Sequence, residues 1–499
     1  MKPTIHYDGR PQAGADDEAP YADALLRHAA RRPVSFMVPG HGATGDGFAA
    51  GQAEFAGERA LAIDVTQLLD GIDLGSDSPR ERAHRMAARA WGARRTWFLT
   101  NGSSQGNRLA ALAVSQLGDG IVIQRSAHSS VVDGVILAGL RPAYALPGVD
   151  VRNGIAHGVT PASIAKAIAG HPGPVTAVYI VSPSYFGAVA DVPTIARLVH
   201  DAGAVLIVDC AWGAHFGFHP DLPPSPVRQG ADIVVMSTHK MTSSLHQSAV
   251  LHLGDTDLAD TLEPALERAY RMTTSTSESS LLIGSIDVAR RDLQRGGPQV
   301  DDALRALGAA RDRIRAEQGI SLIEDTFFSH PDIVDHDPLR MPIDVSGICA
   351  DAHALRLTLA RDFGIWVEMA TRTTLVPLVG IGKRTSFDRL IDAVLETRGD
   401  AAPNEIGDLA DLPSPGRIQV SPRDAFYAPS EVVPHTEAVG RTSADALSAY
   451  PPGIPNILPG EEITRPAVDF LRQVARSPGG YVRGAVVPDV SRFRVIGKP

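Results

Sequence analysis

Between Pro33 and about Ile286 the chain alternates short, nearly continuous apolar runs with amphipathic helical stretches. The runs are RTWFLT, GIVIQ, RPAYAL, VTAVYIVSP, AVLIVDC, ADIVVMS and QSAVLHL, with SSQGNRLAALAVSQL, SSVVDGVILAGL, TPASIAKAIAG and VPTIARLVHDAG between them. A strand that is apolar at consecutive positions must be covered on both faces. Helical crossovers satisfy that need when they pack on either side of a mostly parallel sheet. The pattern therefore predicts an α/β large domain over residues 33–286.

A chain of 499 residues exceeds what one hydrophobic core holds, and its texture changes along its length. Residues 1–32 are polar except for one helical pattern, PYADALLRHAARR, and read as an arm that packs on another part of the molecule. Residues 287–398 carry long charged helices, then strand-like MPIDVSG, a helix in DAHALRLTLARDFG, strand-like IWVEMATRTTLVPLVGIG and a last helix, which predicts a smaller α+β domain. A linker rich in Pro, Asp and Gly at 399–414 precedes a C-terminal unit over 415–499.

The formal net charge of -10 argues against sequence-independent nucleic-acid binding, which needs a basic face. No basic run reads as a nucleic-acid or membrane patch, and no run approaches the ~18 apolar residues of a membrane span. Cys210 and Cys349 are too few for a disulfide framework or a cysteine zinc site. With no apolar export segment visible near the N-terminus, a cytoplasmic setting is expected.

Ligands of open parallel sheets bind beyond the carboxyl ends of the strands, so the polar residues after each run are the candidates. RTWFLT leads into NGSSQGN and a helix: Gly102 permits a tight turn, and the Ser103 and Ser104 hydroxyls join free helix N–H groups in an anion cup. Alone, such a loop is also an ordinary helix cap. His128 follows GIVIQRSA, Asp209 follows AVLIV, and Ser237, His239 and Lys240 follow ADIVVM. Each has a structural reading of its own, but all converge on one edge, and Lys240 lies 240 − 209 = 31 residues after Asp209, about one βαβ unit. Catalysis by pyridoxal 5′-phosphate uses this set: a lysine amine for a Schiff base, a carboxylate to keep the pyridine nitrogen protonated, and donors for the phosphate. Lys240, Asp209 and Ser103/Ser104 fit those roles, with His128 stacking on the ring and Ser237 and His239 reaching the phosphate.

With those residues in hand, the chain resembles the Orn/Lys/Arg decarboxylase family, a group with the aspartate aminotransferase-like fold (fold type I). The resemblance runs through FMVPGHGATG, TNGSSQGN, SAHSSVVDGVILAGLRPAY, SPSYFGAVADV, VDCAWGAHFGFHPDLPPSP and STHKMTSSLHQSAVLH. SPRDAFYAP and GRTSADALSAYPPGIPNILPGEEIT are similar to the family's C-terminal domain signature, which is long and unusual. What the resemblance implies is a homodimer or higher homo-oligomer with shared active sites. Lys240, Asp209 and His128 would be catalytic, Ser103, Ser104, Ser237 and His239 phosphate ligands, and Thr276 or Ser277 would reach the neighbouring subunit's phosphate. It also implies Glu461 near the substrate's distal cation. Departures from the family pattern stand at Gly42, Gln105, Cys210, Trp212, Glu278 and Ser280, and they bear on the phosphate cup and on substrate choice.

The expected reaction is α-decarboxylation of arginine, lysine or ornithine, with Trp212 contributing to an apolar wall against the carboxylate. Transamination or oxidative deamination on the same cofactor competes, since the fold does not select the reaction, and so does a non-catalytic paralogue. Other features read as structural. His215 and His219 in HFGFHP have the spacing of a helical metal pair, but Gly217 and Pro220 argue for a loop. The apolar stripes at 107–117 and 193–200 read as core, RRDLQR as a solvated helix face, and Cys210 as a buried filler.

Overall fold

The structure is a computed structural model that describes residues 17–497 apart from 70, 151, 383–385, 399–412, 451–453 and 477–479. All seven apolar runs form strands: β1 (Arg95–Leu99), β2 (Gly120–Gln124), β3 (Arg141–Ala145), β4 (Val175–Val181), β5 (Val205–Asp209), β6 (Ile233–Met236) and β7 (Ala249–Leu253). They make one seven-stranded sheet in the order β1-β7-β6-β5-β4-β2-β3. β7 alone runs opposite to the other six strands of this sheet.

The helices that position the site are α1 (Pro20–Ala30), α2 (Pro79–Trp91), α3 (Gly102–Val114), α4 (Ser129–Ala138), α5 (Pro161–Ala169), α6 (Val192–Asp201), α7 (Thr238–Met241), α8 (Ala259–Thr273) and α9 (Ser280–Arg295). Helices α1, α2, α5, α6 and α9 cover one face of the sheet, and α3, α4 and α8 cover the other. The split follows strand pleating. Val205 and Ile207 of β5 pack in one layer, and Leu206 and Val208 in the opposite one.

In the expected arm, α1 packs against α9 and α2, while residues 1–16 lie outside the described residues. What anchors it corrects the reading of RRDLQR as a solvated face. Arg290 is fully buried and donates to Asp287 Oδ1 at 3.0 Å, and the other oxygen of Asp287 accepts the Tyr21 N–H at 2.9 Å. Arg290 also donates to the Glu18 carbonyl. Helix α9 runs through the expected domain boundary at 286/287.

Beyond α9, a helix over Gly297–Ala316, the helices Ala352–Phe363 and Phe387–Glu396 and a small four-stranded sheet build the second domain around its own core. The linker predicted at 399–414 lies almost wholly outside the described residues. The C-terminal unit has a third core, formed by a two-stranded sheet, a three-stranded sheet and the helix Arg465–Arg476. It docks behind α4, where Arg483 donates to Ser129 and Leu458 packs on Val132 and Ile136. No helix among the described residues is long and apolar enough to cross a membrane.

Candidate active site

The carboxyl ends of β1, β2, β4, β5 and β6 open onto a cavity of about 530 Å³, lined among others by Ser103, Ser104, Asn107, His128, Tyr185, Asp209, Trp212, Ser237, His239 and Lys240. Because β7 is antiparallel, the loop before it, with His246 and Gln247, closes the same edge.

At the anion cup, Gly102 opens α3 with φ of 70°, a left-handed conformation costly for other residues. One turn on, a Cβ at Gly106 would lie 2.7 Å from Val235 Cγ1, so glycine lets α3 sit close on β6. The N-cap Asn101 makes no side-chain capping bond, which leaves the first-turn amides available. Ser103 Oγ and Ser237 Oγ meet at 2.6 Å, joining the β1 and β6 ends of the cup. His239 pairs its Nδ1 with the Ser248 carbonyl at 2.8 Å, and burial lowers its pKa.

Asp209 ends β5 and is buried; its Oδ1 accepts the Ala211 N–H at 3.0 Å and its Oδ2 accepts Asn107 Nδ2–H at 3.1 Å. Tyr179 donates to Asn107 Oδ1 at 2.6 Å, which fixes the orientation of that amide. Asn107 therefore corrects the reading of its helical stripe as core alone, and neither it nor Tyr179 stood out in the sequence. His128 caps α4, its Nδ1 accepting the Ser130 N–H at 3.2 Å. Burial lowers its pKa against the opposing pull of Asp209.

Lys240 lies in α7, with Nζ 3.9 Å from the centre of the Trp212 ring. Burial pushes its pKa down to about 8, opposed by the Asp209 carboxylate. Arg340, from the small domain, sets its guanidinium 4.0 Å from the same indole. Its three guanidinium nitrogens make no hydrogen bond, Asp337 Oδ2 lies 3.9 Å away, and burial lowers its pKa to about 10. No pattern in the chain singled out Arg340; only the folding of the small domain over this edge brings it here.

The structure does not bring Glu461 to the cavity. Its carboxylate is buried in a two-pronged pair with Arg125, whose Nη2 donates to Oε2 at 2.9 Å, and the Leu458 N–H donates to the same oxygen at 3.0 Å. Within the single chain Glu461, expected beside a substrate cation, instead joins the C-terminal unit to the end of β2. Gln105 also turns away from the cup, donating to Thr274 Oγ1 at 3.0 Å. Glu278 pairs with Arg80 and accepts from Gln67 at 3.1 Å, and Ser280 Oγ donates to the Ile63 carbonyl at 2.8 Å, so both serve packing rather than the cavity. Gly42, Thr276 and Ser277 do not line it, and the last two are exposed. His215 pairs with Asp337 at 3.0 Å and His219 with Asp301 at 3.1 Å, in keeping with the loop reading. Cys210 is fully buried, and burial raises its thiol pKa.

A parallel-sheet edge with an amine, a hydrogen-bonded carboxylate and a hydroxyl-rich helix N-terminus is the layout of a fold-type-I α/β enzyme. The profile of the Orn/Lys/Arg decarboxylase major domain matches residues 19–354, and that of the C-terminal domain matches residues 415–479. The chain is 33% identical over 462 residues to the arginine decarboxylase of Bacillus subtilis, covering 91% of this chain and 93% of that protein. It is 31% identical over 485 residues to the arginine decarboxylase of Bacillus anthracis, covering 96% and 97%. In structure it is similar to lysine decarboxylase A from Pseudomonas aeruginosa, with a TM-score of 0.80 at 20% identity over 96% of this chain and 80% of that one. The chain belongs to the Orn/Lys/Arg decarboxylase family.

Proposed function

We propose that the protein is a pyridoxal 5′-phosphate-dependent decarboxylase that removes the α-carboxylate of a basic amino acid and releases the amine and CO₂. The observation that carries this reading is the convergence of Lys240, Asp209 and the Ser103/Ser237 cup on one cavity. The donor set fits the cofactor: a buried carboxylate already held by two hydrogen bonds, an amine of lowered pKa, and uncapped helix amides beside hydroxyls.

Bound there, the cofactor would supply an aldehyde that condenses with amines and a ring that accepts electrons. Lys240 would offer the amine, neutral in part near pH 8 because of its burial. Asp209, oriented by Asn107 and the Ala211 N–H, would hold the proton on the ring nitrogen. Ser103, Ser104, Ser237 and His239 would bind the phosphate, and His128 would pack on the ring. Trp212, with Arg340 stacked on its ring, would keep water from the reacting face and give the substrate's carboxylate an apolar wall. Lys240, which lines the cavity, would also return a proton to Cα.

Arginine is the first substrate to test, because the relatives at 31% to 33% identity cited above are named arginine decarboxylases, whereas the Pseudomonas aeruginosa lysine decarboxylase LdcA is at 25%. The unit is proposed to be a homodimer or higher homo-oligomer. Phe36, Phe48 and Phe55 are 98%, 106% and 86% exposed in the single chain, an apolar surface that a second copy would cover. The exposed Thr276–Ser277 loop would then reach the partner's phosphate site. Two unbridged cysteines are in keeping with a cytoplasmic setting.

Incubation with arginine, lysine, ornithine, aspartate and glutamate, with CO₂, amine and keto acid measured, tests the reaction. Amine and CO₂ in equal amounts from a basic substrate are expected. Keto acid without CO₂ would replace decarboxylation by transamination or oxidative deamination. No turnover, with the same visible absorbance in Lys240→Ala, would leave a non-catalytic paralogue.

A further inference from the structure

Away from the cavity, a hairpin pairs Val149–Asp150 with Ile155–Ala156. His157 follows it directly, and its ring is 1% exposed with neither nitrogen hydrogen-bonded. A buried imidazole in that state loses its hydration at both nitrogens with no return. Its neighbours do not repair this: Phe327 and Phe186 meet it edge-on, at 5.3 and 6.4 Å. The third aromatic neighbour is His330, 5.1 Å away between ring centres, at the end of the helical turn Ile323–Ser329 that follows the helix Gly297–Ala316. Ligand atoms of Asp150, His157 and His330 all lie within 4.8 Å of one another.

We propose that Asp150, His157 and His330 bind a late first-row divalent cation, zinc first, which staples the hairpin of the large domain to the turn of the small domain. Two imidazoles and a carboxylate suit such a cation, whereas magnesium and calcium take oxygen donors. Tetrahedral zinc sets its ligand atoms about 3.3 Å apart. Side-chain rotation would close the present spread, and His330 is only half-buried.

The surroundings are built for it. Asp150 is oriented by Asn153, which donates through its backbone N–H to Oδ1 at 3.1 Å and through Nδ2 to Oδ2 at 2.8 Å. Thr373 in turn donates to Asn153 Oδ1 at 3.2 Å. This is the outer support that metal-bound carboxylates receive. The two ligand-bearing segments are also held together without the ion, since the Gly158 N–H donates to Asp332 Oδ2 at 2.8 Å.

The test uses the full-length protein, stripped with a chelator, dialysed against zinc chloride and passed through a desalting column before elemental analysis. About one equivalent of zinc per chain is expected. At zinc about 100-fold above its Kd, the folding equilibrium shifts about 100-fold toward the folded state, seen as a raised melting temperature. His157→Phe, which keeps an aromatic ring among aromatic neighbours, and His330→Ala should lose the bound zinc while keeping the circular dichroism of the stripped parent. Asn153→Ala should weaken binding by about 10- to 100-fold, and magnesium should not compete. No retained zinc in the parent overturns the proposal, as does equal zinc in folded His157→Phe and His330→Ala.

Discussion

Replacing Glu461 by Gln separates two roles for this residue with one substitution. In the structure its carboxylate neutralises Arg125, and the two side chains are only 2% and 8% exposed. Arg125 also donates to the Asn456 carbonyl at 3.1 Å and lies 4.8 Å from the Tyr144 ring, so burial would hold it in place with its charge uncompensated. Breaking one side of such a pair costs about 3–5 kcal/mol, whereas replacing both sides with apolar groups of similar volume is near neutral. Glu461→Gln is therefore expected to destabilise the docking of the C-terminal unit by about that amount, and Arg125→Met/Glu461→Leu to recover most of it. Urea unfolding monitored by tryptophan fluorescence reads the loss, and limited proteolysis locates it in the C-terminal unit. Steady-state kinetics below the first transition should show KM within about twofold of the parent. Unchanged unfolding together with KM raised about tenfold or more would refute this reasoning and put Glu461 beside the substrate's cation.

The depressed pKa of Lys240 has a direct sign. Folded, it binds fewer protons than unfolded between about 8 and its ordinary 10.5, so the cofactor-free protein should gain stability as pH rises through that window. Borohydride trapping of pyridoxal 5′-phosphate on Lys240 should follow the same depressed pKa, with a midpoint near 8, and Asp209→Asn should move it lower. Asn107→Leu removes a hydrogen bond to a charged acceptor and leaves the Tyr179 hydroxyl without its 2.6 Å partner; cofactor affinity should fall about 10- to 100-fold in an absorbance titration. Arg290→Ala strands the buried Asp287 carboxylate, so the segment around α1 should become the first site of proteolysis, with a stability loss of about 3–5 kcal/mol by urea unfolding.

The parallel sheet and its ligand-bearing edge were legible from residue order. Strand and helix periodicities are local, and the carboxyl-end rule turns a list of run-ending residues into one cluster, so Lys240, Asp209, His128, Ser103 and Ser237 stand out from residue order alone. The supports of that cluster were not legible, because they are pairs between distant elements. Asn107 reaches Asp209 across 102 positions, and Arg125 reaches Glu461 across 336. A glutamate in a family signature motif carries no mark of whether its partner is a ligand or an arginine at the end of another domain's strand. Likewise RRDLQR looks solvated until α1 covers Arg290, and Arg340 looks ordinary until the small domain lays it on Trp212. Periodicity and strand-end chemistry are written in neighbouring residues, whereas charge pairing and burial depend on which surfaces meet, and that is set when the three cores pack together.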